Sequence, residues 1–264
     1  MRTFTKTSGN LLGEAAGLRW LAEAEPHGGA AVARIRSVDE HRLVLDYVES
    51  APPTVDRARR FGAALAQTHA AGAEWWGCAA PGWEGGDAFG QSRTPIVRDR
   101  DRAPESWGAF YGELRIRVFA ERLRDRGAID ADEFAVFDQL AERLCAGEFD
   151  VPQPSLVRDA GFDVARCHGD MWSGNVLYDA GPTGATLIDP FAQGGHAETD
   201  LGTLAVFGFS HLDEVYRGYD AASPLADGWA ERIDLHRLGI VIMHADIFGG
   251  GYVGEALRLA KRYD

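Results

Sequence analysis

Three residues in one short stretch have the types and order that phosphoryl transfer requires. Arg166 to Leu177 reads R-C-H-G-D-M-W-S-G-N-V-L, and Leu187 to Pro190 reads L-I-D-P. Asp170 is followed five residues on by Asn175 and then, beyond an apolar segment, by Asp189. In such a site one carboxylate orients an acceptor hydroxyl and takes its proton, while an amide oxygen and a second carboxylate hold Mg²⁺. An isolated Gly-Asp is ordinarily a turn. Here the offset between Asp170 and Asn175 is that of kinase catalytic loops, and a second acid follows an expected strand. Asp170 is therefore read as the base and Asn175 and Asp189 as metal ligands, with ATP and Mg²⁺ as the implied cofactors.

Other residues acquire meaning from that segment. Lys6 falls on the first expected strand and Glu14 near the start of the helix after it. A lysine that holds phosphates and is anchored by a helix carboxylate is the matching kinase arrangement. Read singly, Lys6 is an exposed lysine and Glu14 a favourable charge at a helix start. Asp46, Tyr47 and Val48 close the third expected strand, where connecting backbone would meet the adenine edge. Trp172 is either a core aromatic or a platform for a sugar ring. His168 is expected to bond backbone around the loop. His196 and Glu198 either support the loop or face the substrate, and the sequence does not separate the two. Asp200 reads as a helix cap before an apolar run.

The elements that must position these groups follow from periodicity and punctuation. Residues 2–7 read as a strand, 8–10 as a turn with Asn10 as cap, and 11–24 as a helix. Strands are expected over 31–38 and 42–48, then a helix over 55–71 begun by Thr54 or Asp56. Residues 72–103, rich in Gly, Pro and Trp, read as a long loop. Helices follow over 106–127 and 130–147, and two short strands over 175–178 and 185–189. From 201 the chain reads as helical, with breaks at 221–227 and 249–251. The fold class is α+β with two lobes: a small β-rich one over 1–50 and a mainly helical one over 51–264, with a ligand cleft between them.

Bulk properties narrow the partners. The 264 residues carry 27 Lys and Arg against 40 Asp and Glu, a net charge of −13. Such a chain repels a phosphate backbone, so nucleic acid is not expected as a partner. Three cysteines without a C-x-x-C pair argue against a disulfide framework or a zinc knuckle and suit a reducing cytoplasm. No run is long and apolar enough for a membrane span, so no membrane partner is expected. Oligomeric state is open.

Taken together, the motifs resemble the fructosamine kinase (ketosamine-3-kinase) family, a branch of the protein-kinase fold related to aminoglycoside phosphotransferases. H-G-D-M-W-S-G-N is close to that family's H-G-D-L-W-S-G-N, and Trp172 and Ser173 separate it from generic small-molecule kinases. I-D-P-F-A-Q-G-G-H-A-E-T-D-L, W-G-A-F-Y-G-E-L-R-I and the closing F-G-G-G-Y resemble further family segments in the right order. The resemblance implies ATP-dependent phosphorylation of the C3 hydroxyl of a ketosamine, small or protein-bound, as deglycation repair. It implies Asp170 as base, Asn175 and Asp189 on Mg²⁺, and Lys6 with Glu14 on the phosphates. The family's Gly-containing hairpin ahead of the lysine strand has no counterpart in this sequence, so a truncated first lobe is expected. The alternatives are a kinase of another small alcohol or aminoglycoside, and a nucleotide-binding protein without turnover.

Overall fold

The structure, a computed structural model, describes residues 2–83, 88–89 and 92–263. Strand β1 (Thr3–Lys6) leads into helix α1 (Leu11–Ala22), whose first turn is closed by the Asn10 side chain accepting from the Gly13 N–H at 3.0 Å. Strands β2 (Ala31–Val32), β3 (Ile35–Val38) and β4 (Leu43–Asp46) follow. The antiparallel sheet β1-β4-β3 places Lys6 opposite Leu43.

The single strand expected over 31–38 is two strands in different sheets. Ile35 to Val38 pair with β4. Ala31 and Val32 run parallel to strand β9 (Ala185–Leu187), more than 150 residues away in the chain, and the Ala33 N–H donates to the Leu187 carbonyl at 3.0 Å. Strand β8 (Val176–Tyr178) completes that second sheet in the order β2-β9-β8. Residues 31–38, A-V-A-R-I-R-S-V, contain no Gly or Pro, so no strong chain-breaking signal marks the crossing.

Helix α2 (Val55–Ala70) is capped by Thr54 and buries Phe61, Leu65 and His69 on one face. Within the expected loop over 72–103 lie a short hairpin of β5 (Ala88–Phe89) with β6 (Ser92–Arg93) and a 3-10 turn at Arg100–Arg102; residues 84–87, 90 and 91 are outside the described set. The helix expected over 106–127 is α3 (Trp107–Tyr111) and α4 (Val118–Asp125), joined without a break by a π-type turn at Gly112–Arg117. Helix α5 (Ala131–Cys145) starts with a full capping box between Asp130 and Glu133. A one-turn helix, α6 (Ser155–Asp159), precedes strand β7 (Ala165–Cys167), which pairs with β10 (Gln193–Gly195). Helices α7 (Ala197–Leu204), α8 (Leu212–Ala222), α9 (Trp229–Phe248) and α10 (Gly251–Ala260) close the chain. No described helix is long and apolar enough to cross a membrane.

Two apolar clusters form the core. One joins α1, β4 and α2 to the β7–β9 region and α8, so it runs across the boundary expected between residues 50 and 51; the other lies between α3, α4, α5, α9 and α10. In the first, α2 and α8 approach so closely that glycines face backbone. A Cβ on Gly62 would lie 2.0 Å from the Val215 carbonyl oxygen, and one on Gly218 2.1 Å from that of Arg59. Gly62→Ala is expected to lower unfolding stability by ~1–3 kcal/mol, the usual cost of overpacking, measurable as a shifted denaturant midpoint with unchanged slope; an unshifted midpoint would contradict the packing.

Arg166 fastens the first lobe's helix to this core. Its guanidinium donates to the Trp20 carbonyl at 2.5 Å and to the Gly72 carbonyl at 3.2 Å, and it pairs with Glu23 at 3.0 Å. The ends of α1 and α2 are thereby held on β7, the strand that leads to Asp170.

Candidate active site

The loop after β7 is held from below. Gly169 has φ +80°, and a Cβ there would lie 2.1 Å from the Phe191 carbonyl oxygen, so only glycine fits the turn into Asp170. The buried Asp200 carboxylate, on α7, accepts from the His168 and Gly169 N–H groups at 2.6 and 3.0 Å. It also bonds His69 Nε2 at 3.1 Å, and His69 Nδ1 meets the Tyr219 hydroxyl at 2.8 Å. Burial pushes the Asp200 pKa up, but His69, His168 and the Gly169 N–H outweigh it and hold it below the usual value. Helix α7 begins at Ala197 with His196 as its cap, so Asp200 is not the cap the sequence suggested; it anchors the loop.

His168 is a spacer made of two hydrogen bonds. Its Nδ1 accepts from the Asp170 N–H at 3.2 Å, which leaves Nε2 to donate to the Ile188 carbonyl at 2.9 Å. Burial lowers its pKa, so the neutral ring is favoured. It thus ties the segment of Asp170 to that of Asp189.

Across this frame five residues form one connected group of contacts. The Lys6 ammonium donates to Glu14 Oε2 at 2.5 Å and to Asp189 Oδ1 at 2.6 Å. Asn175 Nδ2 donates to Asp170 Oδ2 and the Asp170 carbonyl, both at 2.8 Å, and approaches the Asp189 carbonyl at 3.3 Å. Asp189 itself sits at φ +54°, a left-handed conformation unusual for a residue with a side chain, and its carboxylate is half-exposed in the cleft.

The pKa shifts reflect this crowding of charge. Asp170 is raised well above the ordinary aspartate value by burial and by the neighbouring Asp189 charge, against the pull of Asn175 and Lys6. Glu14 is raised to about 7 by burial and by Asp189, against the pull of Lys6. Lys6 loses something to burial but is raised on balance by Glu14 and Asp189.

These groups open into a cleft of about 850 Å³ whose walls include Lys6, Glu14, Asp170, Trp172 and Asp189. Trp172 is partly exposed on that wall and meets Phe207 edge to face at 5.7 Å, so it is not a core aromatic. Because Asn175 Nδ2 is engaged by Asp170, its amide oxygen would be the ligand atom for a cation, with the half-exposed Asp189 carboxylate as the second donor. Two hard oxygen donors of this kind suit Mg²⁺, which also keeps waters and takes phosphate oxygens.

Two of the residues expected at the adenine edge have other partners. The Asp46 carboxylate pairs with Arg36 at 2.5 Å on the outer side of β4. The Tyr47 N–H donates to the Arg2 carbonyl at 3.0 Å, and its ring lies under the Arg2 guanidinium at 3.6 Å. The adenine-edge expectation concerns backbone, so the Asp46 ion pair does not bear on it, while the Tyr47 N–H is already taken up by Arg2.

His196 and Glu198 do not face the cleft at all. Both are buried, with Glu198 held by Arg232 at 2.8 and 3.0 Å and by His236 at 3.2 Å, and with His196 stacked on His236 at 5.4 Å between ring centroids. The substrate-facing reading of these two is therefore withdrawn, and the supporting one stands. Sequence reasoning missed Arg232 and His236 because Glu198's partners lie 34 and 38 residues further on. Burial opposes ionisation of Glu198, but His236 and Arg232 pull its pKa down to about 2 from 4.5. A carboxyl depressed on folding stabilises above its unfolded pKa and loses that contribution as pH falls through the folded one. Glu198→Gln is expected to cost roughly 1.5–3 kcal/mol near pH 7, with the gap to wild type closing between about pH 4.5 and 2. Unfolding titrations of both proteins over that range check it; a gap independent of pH would refute the pairing.

The fructosamine kinase family model matches residues 6–263. The chain belongs to the fructosamine kinase family. Among curated fructosamine kinase relatives, a probable ketoamine kinase of Synechocystis is 30% identical over 222 residues, 83% of this chain and 66% of that protein. A probable ketoamine kinase of Vibrio parahaemolyticus is 29% identical over 217 residues, 81% of this chain and 66% of that protein. The chain thus spans just under two thirds of the length of these relatives. The crystal structure of a putative fructosamine-3-kinase from Thermobifida fusca superposes with a TM-score of 0.79 at 34% identity, covering 98% of this chain and 85% of that one. An ADP-bound aminoglycoside phosphotransferase shares the fold at a TM-score of 0.59 and 10% identity. The α+β, protein-kinase-like class of this fructosamine kinase family member is that of its neighbours.

Proposed function

We propose that this protein transfers the γ-phosphoryl group of ATP to the C3 hydroxyl of a ketosamine, the step that begins release of the sugar from a glycated amine. The observation that carries the reading is the continuous line of contacts Lys6–Asp189–Asn175–Asp170, opening on a cleft with Trp172 in its wall. Its two ends are a phosphate-positioning cation and a hydroxyl-orienting carboxylate, set at the separation that the metal-ligand pair fixes.

Asp170 accepts the hydroxyl proton as the phosphoryl group arrives, and burial and the Asp189 charge raise its pKa, which makes it a stronger base than an ordinary aspartate. Lys6, anchored by Glu14, holds the nucleotide phosphates, and Val48 meets the adenine edge. Asn175 and Asp189 would hold Mg²⁺, which when bound would supply charge neutralisation at the phosphates. Trp172 presents its face to the sugar ring.

The test is purified protein with Mg-ATP and a panel of fructosamines, ribulosamines, aminoglycosides and simple alcohols, read by ³¹P NMR. Phosphorylation at C3 of a ketosamine, absent in Asp170→Asn, is the expected result. Turnover confined to unglycated alcohols would replace the substrate reading. ATP binding without turnover of any of them would overturn the catalytic one.

A further inference from the structure

The wall of the cleft beyond Trp172 is made of aromatic rings from three separate segments. Phe207 follows α7; its ring meets His244 at 5.5 Å and Tyr252 at 6.4 Å between centroids. His244 and Phe248 lie one turn apart at the end of α9 and touch at 5.7 Å. Gly249 and Gly250, both at positive φ, turn the chain so that Tyr252 on α10 returns to within 5.3 Å of His244 and 6.0 Å of Phe248. Phe207 is 45% and Phe248 64% exposed, large apolar surfaces that a ligand would cover.

The charges around this group all point one way. Among the described residues lining the cleft, Lys6 is the one Lys or Arg, and it sits at the far end between Glu14 and Asp189. Asp170 and Asp189 line the same cleft as the rings. Burial lowers the His244 pKa, so its ring is neutral. Aromatic faces beside a carboxylate, with no competing cation, form a site for a positive charge.

We propose that Phe207, His244, Phe248 and Tyr252 bind the protonated amine of the substrate and its substituent while the sugar hydroxyl is at Asp170. The inference rests on the ketosamine reading above. In a ketosamine a single carbon separates C3 from the carbon bearing nitrogen. With the C3 hydroxyl at Asp170 the nitrogen therefore lies at the next piece of wall, and whatever it carries extends onto the rings. The surface selects the amine for positive charge and for flat or apolar bulk, and leaves the choice of sugar to Trp172.

Calorimetry without ATP tests this apart from turnover. The probes are N-benzyl fructosamine, cationic at neutral pH, and the ether in which oxygen replaces its nitrogen. Wild type is expected to bind the amine on the order of tenfold more tightly than the ether. Phe207→Leu and Phe248→Leu retain apolar bulk but lose the ring face; each should remove most of that preference, and Phe248→Trp should keep it. Both positions are exposed, so folding tolerates the changes. Equal affinity for the two probes, no binding of either, or a preference intact in both leucine variants would overturn the inference. A charge preference that follows the rings, with no phosphorylation once Mg-ATP is added, would support it and sink the catalytic reading alone.

Discussion

Asp170→Asn is expected to lower kcat by ~10²–10⁴-fold, the range for loss of a positioned general base, with KM for the ketosamine close to wild type. The substituted amide fills the same volume and still bonds Asn175, which donates to Asp170 Oδ2 at 2.8 Å, so the loop and metal ligands stay in place. Asn lacks the basicity to take the hydroxyl proton. Because the active form of Asp170 is the carboxylate and its pKa is raised by burial and by Asp189, wild-type kcat/KM should rise with pH through a value above the usual aspartate range. The variant should lack that limb. Steady-state kinetics across pH, on protein shown by circular dichroism to be folded, is the measurement. A loss of less than about tenfold would remove Asp170 from the role of base, a tenfold rate change being about 1.4 kcal/mol of barrier.

The largest stability effect is expected away from the cleft floor, at Asp200. Asp200→Ala strips the acceptor from the His168 N–H, the Gly169 N–H and His69 Nε2 in one step, the first and last of them fully buried. Removing one partner of a buried charged network costs roughly 3–5 kcal/mol, since the groups left behind are neither solvated nor paired. Denaturant unfolding should show the midpoint fall by that amount. Activity should fall too, because the backbone on either side of Gly169 would be free to move the base. Asp200→Asn, which keeps one oxygen acceptor, should recover part of both. A variant as stable as wild type would mean that the loop is held by other contacts.

Much of the site was legible because its chemistry is local. The offset from Asp170 to Asn175, the acid after the next strand, and the lysine strand followed by a helix glutamate all sit in short windows, and the structure brings those five side chains together. The cap at Asn10 and the helix over 55–71 were likewise set by neighbours in sequence. What escaped was decided by distant partners. His69 shares the buried face of α2 with Phe61 and Leu65, and its partner Asp200 lies 131 residues away, so no local pattern announces the pair. The split of 31–38 depends on β9 offering a strand edge, which no periodicity records. His196 and Glu198 sit beside motif residues in sequence, yet Arg232 and His236 draw them inward. The ring group joins positions 207, 244, 248 and 252, whose proximity comes from helix packing and a double-glycine turn.

The parallel pairing of β2 with β9 and the clamp of Arg166 on α1 bear on how the chain can be cut. A fragment beginning at Ala51 would present a bare strand edge at β9 and an uncovered apolar wall where Leu18, Leu21 and Leu43 pack. Exposed edges and apolar faces of that sort recruit other molecules. Such a fragment is expected to precipitate when expressed by itself and to be rescued by a separate peptide of residues 1–50, the two halves reassembling as a noncovalent pair. The most visible break in the sequence would then be a place where the polypeptide can be nicked but its pieces cannot live apart.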